Sequence, residues 1–149
     1  MRLAAALRAL AAEKMSREMP LTEVAERLGV DVSTVSHYLR GDYPSERARA
    51  AAERVLRRSP PFGLWPLLEE ELGREVASEV LRWLVKDKVE ARVRVDDARC
   101  VSCGRCAEAC PAPDDTCLGC GECVRACSTG ARSLEVSYRD AVYEVSRER

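Results

Sequence analysis

The chain has 149 residues, 33% of them charged, and its formal net charge of −1 leaves no overall bias toward a charged partner. That length allows one ordinary domain or two small ones, and no stretch is apolar for long enough to span a bilayer. The neutral total hides a polarity: residues 1–60 carry eleven basic against eight acidic groups, and residues 61–87 carry three against six. Asn, Gln and Ile are absent, and three Lys stand against twenty-one Arg. Loss of both thermolabile amides fits growth at high temperature.

Leu3, Leu7, Leu10 and Ala11 recur at helical spacing with Arg2, Arg8 and Glu13 off the stripe, which predicts an amphipathic helix over residues 2–17. Arg8 interrupts the apolar run of Met1 to Ala12, arguing against an exported leader. Pro20 fits the first position of a second helix, Glu23 falls in its first turn, and Gly29 ends it after Leu28. Asp31 is placed to cap a third. Between Leu21 and Arg40 the residues suit two helices crossing steeply. Ala25 permits close approach, Gly29 supplies a left-handed turn residue, Val30 plugs the turn, and Val35 with Tyr38 or Leu39 anchors the second helix.

This stretch resembles the helix-turn-helix of lambda-repressor-like transcription regulators, specifically over residues 20–41 and as a domain over 2–58. The resemblance implies that the second helix enters the major groove of double-stranded DNA, with Ser33, Thr34, Ser36, His37 and Arg40 on its exposed side. Arg40 and His37 are the expected readers of guanine edges, while Ser33 and Thr34 can bond phosphate or base. The alternative is a helix-turn-helix turned to protein docking or dimerisation, with His37 merely facing solvent.

Ser45 can cap a fourth helix with Ala48, Ala51, Val55 and Leu56 inward and Arg47, Arg49, Arg54, Arg57 and Arg58 outward, where arginines can meet phosphates. Pro60-Pro61-Phe62-Gly63 breaks the chain. Two helices are predicted around Gly73, over 64–72 and 76–85, with Val76, Val80, Trp83 and Leu84 on one face that needs a partner. From Val89 the period changes to two: Val89, Ala91, Val93 and Val95 alternate with Glu90, Arg92 and Arg94, predicting a half-buried strand. Leu134, Val136 and Tyr138 alternate likewise, Arg139-Asp140 reads as a turn, and Val142 to Val145 as a returning strand.

All eight cysteines lie between Cys100 and Cys127, as two copies of C-x2-C-x2-C-x3-C offset by seventeen residues. Such spacing implies two metal centres; two four-cysteine zinc sites or a disulfide framework are the other readings of paired C-x2-C. Gly104 and Gly121 follow the second cysteine of each copy, where backbone would pass close to an inorganic sulfide. The segment resembles the two-cluster bacterial-type ferredoxins over about Val89 to Tyr138. The resemblance implies two 4Fe-4S clusters, one on Cys100, Cys103, Cys106 and Cys127, the other on Cys117, Cys120, Cys123 and Cys110. Six residues separate Cys110 from Cys117, and Pro111 and Pro113 leave no room for the family's inner hairpin. Ser128 replaces its second proline.

The expected fold class is therefore α + (α+β): an all-α helix-turn-helix domain (1–59), a helical connector with possible dimerisation helices (60–88), and a small ferredoxin-like domain with short strands (89–149). An exported protein would sooner carry disulfides than this cysteine spacing, so a cytoplasmic location is expected. No nucleophile constellation, phosphate loop or acid-base pair is visible, so no enzyme is expected. The architecture resembles archaeal regulators joining these two modules. It implies a homodimeric DNA-binding regulator sensing redox state, oxygen or iron-sulfur supply, or else an electron carrier that docks a redox partner protein through its helix-turn-helix. One electron added about 20 Å from a phosphate changes its energy by only roughly 0.2 kcal/mol before screening, so cluster assembly or loss is the larger lever on DNA binding.

Overall fold

A computed structural model describes residues 3–111 and 117–147, so Arg2 and Pro113 lie outside the described residues. The element order is α1 (Leu3–Met15), α2 (Leu21–Leu28), α3 (Val32–Arg40), α4 (Glu46–Arg58), α5 (Pro61–Leu72), α6 (Arg74–Val85), β1 (Val89–Val95), α7 (Arg105–Ala109), α8 (Glu122–Ala126), β2 (Arg132–Tyr138) and β3 (Ala141–Ser146).

α1 departs from the amphipathic helix expected of its stripe. Ala4, Ala5, Ala6, Leu7, Ala9, Leu10, Ala11, Ala12 and Met15 are all buried, so apolar packing wraps most of its circumference. The alanines explain it: their short side chains let α2 to α6 approach α1 from several sides, making it the axis of the helical body. α6 supplies much of that cover, burying Ala77, Val80, Leu81, Leu84 and Val85, and Pro60-Pro61 turn the chain directly into α5.

Caps mostly follow the sequence. The Ser45 hydroxyl accepts from the Ala48 amide at 3.2 Å, and Gly29 takes φ 67° at the end of α2. Asp31 stands at the N-cap of α3 but its carboxylate makes no capping bond. In α4 the buried face is Ala48, Ala52 and Leu56; Ala51 and Val55 are only half-buried.

The sheet has order β1-β2-β3 and is antiparallel throughout, pairing Val89 with Tyr138 and Leu134 with Val145. Leu134, Val136 and Tyr138 face the core, as their alternation predicts. β1 is a correction. Val89 and Ala91 are half-buried, but Val93 and Val95 are 39% and 41% exposed on this edge strand, which pairs only with β2. One hydrophobic core runs from α1 through α5 and α6 to Leu118, Val124, Leu134, Val136 and Tyr138, so the cysteine-rich part and the helical body share an interior.

Candidate functional site

Two surfaces carry the residues singled out by sequence. On the first, α2 and α3 cross at Gly29, where the Val30 amide bonds back to the Ala25 carbonyl at 3.0 Å. Val35 and Tyr38 are buried beneath α3 and Leu39 is 41% exposed, so Tyr38 is the anchor and its hydroxyl accepts from Arg8 Nε at 3.3 Å. Ser33, His37 and Arg40 are exposed, and Thr34 and Ser36 half-buried.

Asp42, two residues past the helix, gathers the two expected base readers. Its Oδ2 lies 3.2 Å from Arg40 Nε and 3.3 Å from His37 Nδ1, while Arg40 Nη2 is 3.1 Å from His37 Nδ1. The His37 side chain is about half exposed. Nothing in the spacing of α3 signals Asp42, since it acts from the following turn.

Arg49 is a second correction. It does not project from α4 but turns inward, pairing with Glu13 of α1 and donating to the carbonyls of Tyr38 and Tyr43. The Gly41 amide already bonds the Tyr38 carbonyl at 3.2 Å at the end of α3, and this guanidinium gives that carbonyl a second donor. Arg47, Arg54, Arg57 and Arg58 are exposed as expected.

On the second surface the seventeen-residue repeat is preserved in conformation. Gly104 (φ 76°) opens α7 and Gly121 (φ 78°) opens α8, so the backbone itself demands glycine at both positions. The halves differ in burial. Cys100 and Cys103 are exposed, whereas Cys120, Leu118 and Val124 are buried on the sheet, where a side chain on Gly119 would meet Val136 at 3.3 Å.

A cavity of about 230 Å³ is walled by Cys100, Cys103, Cys106 and Cys127, three thiols of the first copy with the last of the second. Cys110 sits instead by the other set. Burial pushes the Cys117 thiol up, and the charges of Cys123 and Cys110 push the same way, so these sulfurs are electrostatic neighbours. Burial also drives Cys120 up to about 12, with Cys117 and Cys123 adding to it. Cys127 moves down to about 7, chiefly because the Thr129 hydroxyl, 3.6 Å from its Sγ, donates to the thiolate, helped by the Arg132 amide. Arg147 donates to the Cys127 carbonyl at 2.9 Å.

Thiols spread around a cavity suit a multi-iron cluster, whose ligands bind separate corners.

A 4Fe-4S binding domain model matches residues 93–112 and another matches 114–130, and a helix-turn-helix model matches 10–62. The chain joins a helix-turn-helix domain to two 4Fe-4S binding domains. The cofactors of this helix-turn-helix iron-sulfur protein are two 4Fe-4S clusters. It is 30% identical over 101 residues to the ferredoxin-type protein FwdE of Methanocaldococcus jannaschii, covering 67% of this chain and 66% of that protein. No solved structure matches. No helix among the described residues is long and apolar enough to cross a membrane.

Three contacts tie the cluster segment to the helical body. Arg74 at the start of α6 donates to the Glu108 and Ala109 carbonyls at 3.0 and 2.8 Å, just before Cys110. Ser78 of α6 reaches the Pro111 carbonyl at 3.4 Å. The Tyr138 hydroxyl of β2 donates to the Leu56 carbonyl of α4 at 2.6 Å. Sequence spacing signals none of these, because the partners are 33 to 82 residues apart.

Proposed function

We propose that this protein is a DNA-binding transcription regulator whose two clusters sense redox state, oxygen or iron-sulfur supply. The observation that carries the reading is one core, running from the helical body with its exposed α3 face to the cysteine segment. In this reading Cys100, Cys103, Cys106 and Cys127 hold one cluster and Cys117, Cys120, Cys123 and Cys110 the other. The cavity composition and the proximity of Cys110 to Cys117 support that crossing. The three-stranded sheet with its paired short helices supports a ferredoxin-like fold.

Bound clusters supply one-electron chemistry and cross-link segments that the chain alone holds weakly. Around them, Thr129 donates to the Cys127 sulfur, while Arg74 and Ser78 hold the backbone leading to Cys110. Loss of a cluster would free the cysteine segment beside α7, which Arg74 and Ser78 hold to α6. The reading further takes the protein as an archaeal-type, cytoplasmic homodimer on an inverted-repeat site, because one recognition helix buries too little for tight binding. It assigns no enzymatic activity.

DNA recognition falls to Ser33, Thr34, Ser36, His37 and Arg40, with Asp42 positioning Arg40 and His37. The test is selection of bound sequences from a random duplex pool by the anaerobic, cluster-loaded protein. Arg40→Ala should cost about 1–3 kcal/mol and relax one operator position. Arg47→Ala should weaken all sequences alike and lower the salt slope by about one. If no sequence is enriched and neither variant alters binding, the regulator reading falls. The second reading, an electron carrier for a redox partner protein with a docking helix-turn-helix, is favoured by the ferredoxin-type relative and would then replace it.

A further inference from the structure

A cleft away from both surfaces collects positive charge. It has a volume of about 310 Å³, and its walls come from α1 (Leu10, Glu13, Lys14), Arg17 after it, α4 (Glu53, Leu56, Arg57), Leu84 of α6, Lys88 and Arg139. Neither α2 nor α3 contributes a residue, so the cleft is not part of the expected groove-facing surface. Five cationic side chains face two carboxylates, and Glu13 is already paired with Arg49 outside the cleft.

Exposed cations normally stand apart or find a carboxylate. Here Arg17, Arg57 and Lys88 make no side-chain hydrogen bond or ion pair with the described residues. Lys14 donates to the Leu84 carbonyl at 3.3 Å. Burial holds its ammonium below the usual lysine range, and Lys88, Arg139 and Arg17 press the same way against the opposing pull of Asp87. The fold thus keeps five cations close with fewer carboxylates than would balance them.

Arg139 adds an independent sign. It occupies φ 55° in the two-residue turn between β2 and β3, where Gly or Asn is favoured and a long side chain is strained. Its amide bonds to the Lys88 carbonyl at 3.1 Å, so the backbone holds these two cleft-lining residues together. Leu10, Leu56 and Leu84 are buried and form an apolar floor.

We propose that this cleft binds a small organic phosphate carrying more than one negative charge, bridging α1 and α4 of the helical body to Lys88 and Arg139 of the cluster-bearing sheet. The volume lies at the lower end of the range for small-ligand sites, about 300–1,000 Å³. Phosphate oxygens meet the guanidinium and ammonium groups, and the leucines take the organic part. The proposal holds for a regulator and for an electron carrier alike, since it uses no recognition residue and no cysteine.

Inorganic pyrophosphate serves as the probe, titrated calorimetrically into cluster-loaded, DNA-free protein, with sodium sulfate at matched ionic strength as the comparison. Saturable binding of pyrophosphate, tighter than that of sulfate, is expected. Arg139→Gly, which relieves the turn while removing the guanidinium, and Lys88→Ala should each weaken it roughly tenfold. Arg54→Ala, an exposed α4 residue outside the cleft, should leave it unchanged. No saturable binding, or equal weakening by Arg54→Ala, overturns the proposal. A duplex DNA titration separates the other phosphate source: if Arg139→Gly lowers the DNA salt slope by about one and DNA displaces pyrophosphate, the cations belong to the DNA backbone and the proposal is overturned.

Discussion

Replacing Tyr138 by Phe removes one oxygen and tests whether the sheet is fastened to the helix-turn-helix body. The Leu56 carbonyl lies in the last turn of α4, where the residue four positions on is Pro60, which has no amide hydrogen. Tyr138 supplies the missing donor at 2.6 Å from a side chain that is only 2% exposed. Phe keeps the ring packing but strands a buried acceptor, at a cost of about 1–3 kcal/mol. For a chain of this size each kcal/mol moves the melting midpoint by about 2–4 °C, so a fall of several degrees is expected. Tyr143→Phe is the matched control. The Tyr143 ring meets Phe62 edge-on at 5.6 Å, its hydroxyl has no hydrogen-bond partner among the described residues, and its loss should stay within about 0.5 kcal/mol. The assay is thermal unfolding of both cluster-loaded variants at one scan rate, followed by far-ultraviolet dichroism and by visible absorbance. Equal midpoints for the two variants would refute the argument that Tyr138 closes the end of α4.

Anaerobic protein should be brown and hold close to eight irons and eight sulfides per chain. Iron counts and electron paramagnetic resonance should show Cys110→Ala damaging the cluster on Cys117, Cys120 and Cys123, and Cys127→Ala the one on Cys100, Cys103 and Cys106; damage confined to each residue's own half would mean uncrossed ligation. Thr129→Val deletes the hydroxyl 3.6 Å from Cys127 Sγ and so disfavours added negative charge. Redox titration should place that cluster's potential lower, by on the order of tens of millivolts. Lys14 has its folded pKa below the ordinary 10.5, so the folded chain releases this proton more readily than the unfolded one. That contribution to stability is fully present above the unfolded value and is lost as pH falls through the folded one. Melting midpoints measured across that window should therefore rise less steeply with pH in Lys14→Met than in the parent.

Much of the plan was legible because it is written in short-range spacing. The cysteine intervals, Gly29 between two helical stripes, Ser45 at a cap and the alternation of Leu134, Val136 and Tyr138 each constrain neighbours within a turn or a strand, where backbone geometry leaves few choices. Tertiary structure decided where that local pattern meets a distant partner. α1 became a buried axis because its alanines admit helices from several sides, and β1 stayed exposed at Val93 and Val95 because it lies at the sheet edge. Arg49 looked like its outward neighbours until Glu13 and the carbonyls of Tyr38 and Tyr43 drew it inward. The positive cleft had no sequence signature at all: Lys14, Arg57, Lys88 and Arg139 come from four separate stretches of the chain. Charge repulsion and hydrogen bonding depend on distance in space, and only the packing of α1, α4 and the sheet brings those groups together.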